Sequence, residues 1–288
     1  MTRPSPALRY LMPAIAGYEP GTTGTWYHDV TAVAVTFRTH PEAVAALLPD
    51  RFSVGAGPGT EGQVTVSWAS NRGCDWLAGG GYNLVGVNVA ATYRGEVDIV
   101  AGGYCVILWE DATEPILTGR EQTGIPKVYA DITDLEAKAG GFSVRASVAP
   151  PAPARRIAAA FGDRASARLD HAVVELEIED LRPLPEAELR AMEERSRAGN
   201  WMGYKYIPRI AGGGADLEYA TVFPTEQVYD RAEAGSGRVR FFPSTFERNP
   251  THWQVVNLLC QLEPLEYRSA LLTHGKTRLF AGRARALR

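Results

Sequence analysis

The chain has 288 residues, 45% of them hydrophobic and 22% charged, which is the composition of an ordinary globular protein large enough for one sizeable domain or two modest ones. A formal net charge of −3 and a pI of about 6.0 exclude the strongly basic surface that nucleic acid or an anionic membrane selects, and no apolar run reaches the length of a spanning helix. Cys74, Cys105 and Cys260 are far apart and odd in number, so they read as reduced thiols with the cytoplasm as the expected location, and no His/Cys cluster has metal-ligand spacing.

Residues 1–20 are interrupted by prolines and lack an apolar core of signal-peptide length, so they read as an N-terminal extension without a secretion signal. Val30 to Arg38 (VTAVAVTFR) is rich in β-branched and aromatic residues and predicts a strand. His40-Pro41 followed by EAVAALLP predicts a short helix with proline in its first turn. Gln63 to Ala69 (QVTVSWA) and Tyr82 to Tyr93 (YNLVGVNVAATY) are the next strands. Gly103 to Glu110 (GYCVILWE) is almost wholly apolar, as a strand covered on both faces would be. Val128 to Leu135, Gly141 to Val148 and His171 to Glu179 continue the series. Between the last two, the loop APPAPA precedes a candidate helix, Arg155 to Phe161. Pro185 to Arg197 predicts a helix with acidic residues early and basic ones late, as its dipole prefers. Glu218 to Val222, Gly237 to Phe242 and the apolar stretch Val255 to Leu262 complete the strand candidates, and Gly212–Gly214 is a loop. The sum is a β-rich, antiparallel α+β chain with a few short helices, read as a single domain over 1–288. Closure into a barrel or sandwich is expected, because so many strands would otherwise leave open edges.

The stretch GREQTGIPKVYAD, Gly119 to Asp131, carries Lys127 behind a proline and between apolar Ile125 and Val128. Ammonium groups are almost never fully buried, so the plain reading of Lys127 is a solvated surface residue. Against it, Pro126 fixes its own φ and biases Ile125 toward extended geometry, which holds the backbone. Apolar flanks also disfavour the charged form of an amine, and a neutral amine attacks ketones to form Schiff bases. The residues alone leave both readings open.

GRE, a polar pair and an apolar residue before Pro-Lys resemble the signature of the acetoacetate decarboxylase superfamily. FRTHPEAVAALLPDRF is similar to that family's early strand, short helix and turn, and YRGEVDIVAGGYCVILWEDATEPILTGRE to the strand pair leading into its motif. The likeness is clearest over residues 30–135. It implies a barrel- or cone-like β-rich fold, a Schiff base on Lys127 in place of a metal or organic cofactor, and a homo-oligomer. Acetoacetate decarboxylase is itself the known case of a lysine activated by a neighbouring cation.

The match departs from the family at several positions. The decarboxylases' second lysine is Val128 here; their arginine at the start of the first strand falls near Val30; their glutamate after a tyrosine falls on Tyr82-Asn83-Leu84; and a further glutamate has no equivalent in QVTVSWASN. A site without those groups still forms an iminium and an enamine, and an enamine adds to aldehydes. The resemblance therefore implies a lyase that condenses a small 2-oxo acid such as pyruvate with an aldehyde and dehydrates the product. The alternatives are decarboxylation of a β-keto acid such as acetoacetate, and a keto-acid-binding relative, cyclase or hydratase. Gln122 and Thr123 are candidates to hydrogen-bond a substrate carboxylate or carbinolamine, although polar loop residues often only satisfy backbone. Glu121 is a catalytic candidate that pairs equally well with Arg120. Glu263 and Tyr267, in CQLEPLEYRSA, are acid–base candidates whose plain reading is surface. Tyr82, Asn83 and Trp109 complete the substrate-binding candidates, Trp109 reading first as core.

Overall fold

A computed structural model describes residues 24–148 and 171–288. The candidate helix Arg155 to Phe161, the APPAPA loop and the 1–20 extension lie outside the described residues. Within them, β1 (Thr25–Arg38), β2 (Phe52–Val54), β3 (Gln63–Cys74), β4 (Tyr82–Arg94) and β5 (Ile99–Glu110) are followed by β6 (Lys127–Tyr129), β7 (Asp131–Ile132), β8 (Glu136–Lys138), β9 (Gly141–Val148) and β10 (His171–Pro183). The chain continues through β11 (Trp201–Pro208), β12 (Ala215–Phe223), β13 (Thr225–Phe241), β14 (Glu266–Leu279) and β15 (Arg285–Ala286). All belong to one sheet whose main path runs β15-β12-β11-β5-β4-β3-β1-β14-β13-β10-β9-β7.

The sheet is mixed: β11 and β6 both run parallel to β5, while the other pairs are antiparallel. The expectation of an antiparallel sheet is corrected here, because the chain leaves β5, turns through a helix and returns beside it, and that crossover makes a parallel neighbour. The hydrogen-bonded path is open, ending on β15 and β7, each two residues long. Such short edges offer little to another chain. Side chains do the closing: one core cluster joins Val33, Trp68 and Val87 from one half of the path to Ala146, Leu176 and Val239 from the other.

Helices α1 (Pro41–Ala45), α2 (Thr113–Thr118), α3 (Glu186–Ala198) and α4 (Trp253–Leu259) are short. In α3, Glu186 and Glu188 open the helix and Arg195 and Arg197 end it, as the sequence predicts. The apolar stretch Val255 to Leu262 is not a strand. It is α4 and its exit, with Val256, Leu259 and Leu262 buried at a spacing of three; a short apolar run does not by itself separate the two periods. β11 and β14 have no counterpart among the sequence-predicted strands.

The two faces of the β1–β3–β4 region differ in side-chain size. Val33, Val35 and Phe37 on β1, with Val64, Val66 and Trp68 on β3, are buried in the core. Ala32 pairs with Ala69 and Ala34 with Ser67 on the opposite face. Because successive side chains alternate across a strand, one face is packed tight and the other is left with room above it.

His252 closes the far side of the core, its Nε2 accepting a hydrogen bond from Trp109 Nε1 at 3.2 Å. Burial lowers its pKa from 6.5 to about 4. A depressed histidine favours the neutral form in the fold, so stability is lost as pH falls from about 6.5 to about 4, where the unfolded chain binds the proton first. Urea unfolding of the wild type should lose stability through that window, and His252→Gln should flatten this part of the slope.

Candidate active site

The parallel β5–β6 ladder places Leu108 beside Lys127 and Glu110 beside Tyr129. Lys127 is only 9% exposed and Glu110 0%. The Lys127 Nζ donates to Glu110 Oε1 at 2.7 Å, and Glu110 Oε2 has no protein partner among the described residues. Burial raises the Glu110 pKa, opposed by the lysine charge and its hydrogen bond. Alternation along β5 sends Leu108 and Glu110 to one face and Trp109 to the other. Val128 likewise packs against the main core. Position 128, where the resemblance looked for a second cation, therefore faces away from Lys127.

The turn before β6 holds the lysine arm. Helix α2 runs directly into a π-helical turn, Gly119–Thr123, which Gly124 ends at φ +74°. Single π turns recur at functional sites. Thr123 Oγ1 and the Ile125 amide both donate to the Gly119 carbonyl, at 2.9 and 3.1 Å. Thr221 Oγ1 donates to the Thr123 carbonyl at 2.6 Å, Lys205 to the Glu121 carbonyl, and Arg120 to the Lys127 carbonyl at 3.1 Å. Gly119 has a steric role. A Cβ there would lie 2.3 Å from both Cδ and Cε of Lys127 and 2.9 Å from Nζ, so the arm crosses the space a side chain would fill.

Lys127 lies where two cavities meet. A recess of about 50 Å³ is lined by Thr118 of α2, Gly119 and Thr123 of the turn, and Tyr27, Trp76 and Tyr82. A chamber of about 330 Å³ extends from the same amine over the small-residue face of the sheet. Tyr27 reaches the junction because β1 carries one extra residue against β14 between Tyr27 and Val30, opposite Gly73 of β3 at φ +60°. Such a bulge re-aims a side chain. Trp76 Nε1 donates to the Tyr27 hydroxyl at 2.9 Å, and the Tyr82 hydroxyl sits 3.4 Å from it. Burial raises the pKa of both phenols, so both keep their protons at neutral pH.

Of the residues singled out from sequence, the fold brings Lys127, Tyr82 and Thr123 together at the recess. Four others lie away from the cavities. Trp109 is a core residue, 0% exposed, and Asn83 is on the same face of the sheet, bonding Asp134 and Arg72. Glu263 is exposed. Tyr267 packs edge-on to Phe37, ten residues along β1 from Tyr27 and so about 30 Å away. Glu121 and Gln122 lie in the π turn, but their side chains line neither cavity, and the Gln122 amide is buried without a protein partner among the described residues. Sequence reasoning missed Glu110 and Tyr27. The signal for Glu110 was its place as the one carboxylate in GYCVILWE. β3 carries no carboxylate, and the buried one beside Lys127 comes from β5.

Gly119→Ala tests this geometry. The methyl displaces the flexible lysine arm rather than backbone, so borohydride trapping of a keto acid at Lys127 should fall at least tenfold. The thermal midpoint should shift by less than a few degrees, because alanine in a helical turn offsets part of the crowding.

The model for the family "Acetoacetate decarboxylase (ADC)" matches residues 11–286. A curated acetoacetate decarboxylase from Burkholderia vietnamiensis is 31% identical over 105 residues, and the match spans 36% of this chain and 38% of that protein. The chain thus matches about two-fifths of that relative's length. The crystal structure of acetoacetate decarboxylase from Legionella pneumophila superposes with a TM-score of 0.70 at 17% identity, covering 98% of this chain and 92% of that one. The enduracididine biosynthesis enzyme MppR, solved with the condensation product of pyruvate and imidazole 4-carboxaldehyde, gives 0.61 at 17% identity, covering 94% and 91%. Among the described residues, no helix is long and apolar enough to cross a membrane. With its β-rich curled sheet and its lysine on the short strand beside β5, the chain belongs to the acetoacetate decarboxylase family.

Proposed function

We propose that the protein is a carbon–carbon lyase that forms a Schiff base through Lys127, condenses a small, pyruvate-like 2-oxo acid with an aldehyde and dehydrates the product. The observation that carries this reading is the buried Lys127–Glu110 pair at the junction of two unequal cavities. One small keto acid needs one cavity, whereas a condensation needs room for two carbonyl compounds at one amine. The recess suits the smaller donor. Thr118, whose hydroxyl has no protein partner among the described residues, supplies a donor there. MppR, of the same fold, has been solved holding the product of such a condensation.

The steps use groups that line the two cavities. Burial raises the Glu110 carboxyl pKa, which makes it the acceptor for the ammonium proton and leaves a neutral amine. The amine adds to the ketone carbon, and Glu110 returns the proton to the departing hydroxyl, giving water and the iminium. Glu110 then takes a proton from the adjacent carbon, and the freed electron pair forms the enamine. The enamine carbon bonds to the aldehyde carbon while the aldehyde oxygen takes the Tyr27 proton. The Tyr27 oxygen already accepts from Trp76, which turns its own proton toward the cavity, and Glu110 restores it. Glu110 takes the second α proton, passes it to the leaving hydroxyl, and water hydrolyses the conjugated iminium. One 2-oxo acid and one aldehyde thus yield one unsaturated 2-oxo acid and one water.

β-Keto acid decarboxylation is the second reading, favoured by the name of the 31% identical relative. Its product separates it: carbon dioxide from acetoacetate against a conjugated enone from pyruvate and benzaldehyde. In the same reading the free thiols suit the cytoplasm. The exposed Tyr206, Ile210 and Leu217 on the β11–β12 hairpin suit a homo-oligomer, which light scattering would detect.

Borohydride with pyruvate should add one reduced pyruvyl mass, mapped to Lys127 and absent in Lys127→Ala. Glu110→Gln should slow enone formation by about 10²–10⁴-fold, the range of a lost acid–base group. Tyr27→Phe should leave trapping intact and slow the enone step. Faster turnover of acetoacetate than of the aldehyde pair would replace this reading with decarboxylation, and no adduct with any keto acid would leave a binding protein.

A further inference from the structure

The chamber carries information about the second substrate. Among the described residues its lining holds two charged side chains, Lys127 and Glu110, and these bond to each other. Away from that pair the wall is mostly hydrocarbon. Ala32 and Ala34 form part of the floor, paired with Ala69 and Ser67, and Leu271, Leu84 and Met192 of α3 stand around them. The polar side chains nearby are neutral, and several of them are occupied within the protein: Asn88 accepts from Trp201 Nε1 at 2.8 Å, and Gln227 accepts from Tyr229. A carboxylate or phosphate seated there would lose its hydration without gaining a cation, a penalty that apolar bodies do not meet. An alkyl or aryl body would gain from every methylene buried. A volume of about 330 Å³ also exceeds what a two- or three-carbon aldehyde fills.

We propose that this chamber is the subsite for the acceptor, and that the acceptor is an uncharged aldehyde with an aliphatic or aromatic body, lying over Ala32 and Ala34 with its oxygen toward Tyr27 and Lys127. The inference rests on the two-carbonyl reading above, and it is tested with ligands that form no imine. Binding of butan-1-ol, hexan-1-ol and octan-1-ol to the full chain is measured by calorimetry beside butanoate, hexanoate and octanoate. Affinity should rise about three- to fourfold per added methylene, and each carboxylate should bind at least tenfold more weakly than the alcohol of its length. Ala34→Phe, which fills the floor, should abolish the chain-length trend; Ala32→Val is a smaller filling that should blunt it.

A flat alcohol series, or carboxylates that bind as tightly as alcohols, would overturn the proposal. The two ideas fail separately. An intact alcohol series with no borohydride adduct keeps the chamber and removes the Schiff-base enzyme. An adduct at Lys127 with a flat alcohol series keeps the enzyme and removes the apolar acceptor. With pyruvate as donor, kcat/KM should likewise favour octanal over glyoxylate by more than tenfold, and the reverse order would also overturn it.

Discussion

An amine and a carboxylate held 2.7 Å apart and shut away from water set the terms for the rest of this site. Taking two opposite charges out of water costs several kcal/mol per ion, and their attraction offsets that cost only with good geometry and further hydrogen bonds. Here the second carboxylate oxygen has no protein partner among the described residues. Such a pair is poorly justified as a stabilising device. It is well suited to passing a proton, because burial raises the affinity of the carboxyl for the proton that the lysine carries.

The surrounding backbone is arranged around that pair. Lys127 sits on a three-residue strand that forms no broad ladder of its own; its position is taken from β5 and from the π turn. Gly119 leaves the groove for the arm, Gly124 takes the left-handed φ that ends the turn, and hydrogen bonds from β11 and β12 side chains hold its carbonyls. Tyr27 arrives by a different device, one extra residue in β1. Loops on rigid scaffolds often carry function, and here the loop is itself fixed at several points. Residue 128 offers no cation to the amine, because its side chain is a valine packed against the core.

Much of the frame was legible in the sequence. β3, β4, β5 and α3 follow from alternation, apolar runs and helix-end charges, because those patterns are local. Lys127 stood out for the same reason: proline before it and apolar residues around it are neighbours in sequence. Glu110 did not, since a carboxylate ending an apolar strand looks like an ordinary strand boundary until the parallel partner is known. Tyr27 lay upstream of Val30, where the sequence reading began the first strand, and β1 starts earlier and passes through a bulge. Glu263 and Tyr267 stand beside apolar residues in sequence, yet the register of β14 with β1 carries Tyr267 toward the far end of the sheet. Register and bulges are set by long-range pairing, which one sequence does not display.

The contrast between the two sheet faces links stability to the proposed chemistry. On the core side, valines, Phe37 and Trp68 are almost wholly buried in one cluster, and protein interiors are close-packed. On the cavity side, alanines and a serine in register leave a void, and lining atoms that face a void forgo contacts they would otherwise make. Larger residues at Ala32 or Ala34 would bury more surface and remove the room for a second carbonyl compound. The unpacked face is therefore a stability cost borne by the densely packed one, and the same alternation that builds the core also shapes the chamber above Lys127. An apolar chamber fits an uncharged acceptor for the reason that it surrounds a costly ion pair: neither tolerates another unpaired charge beside it.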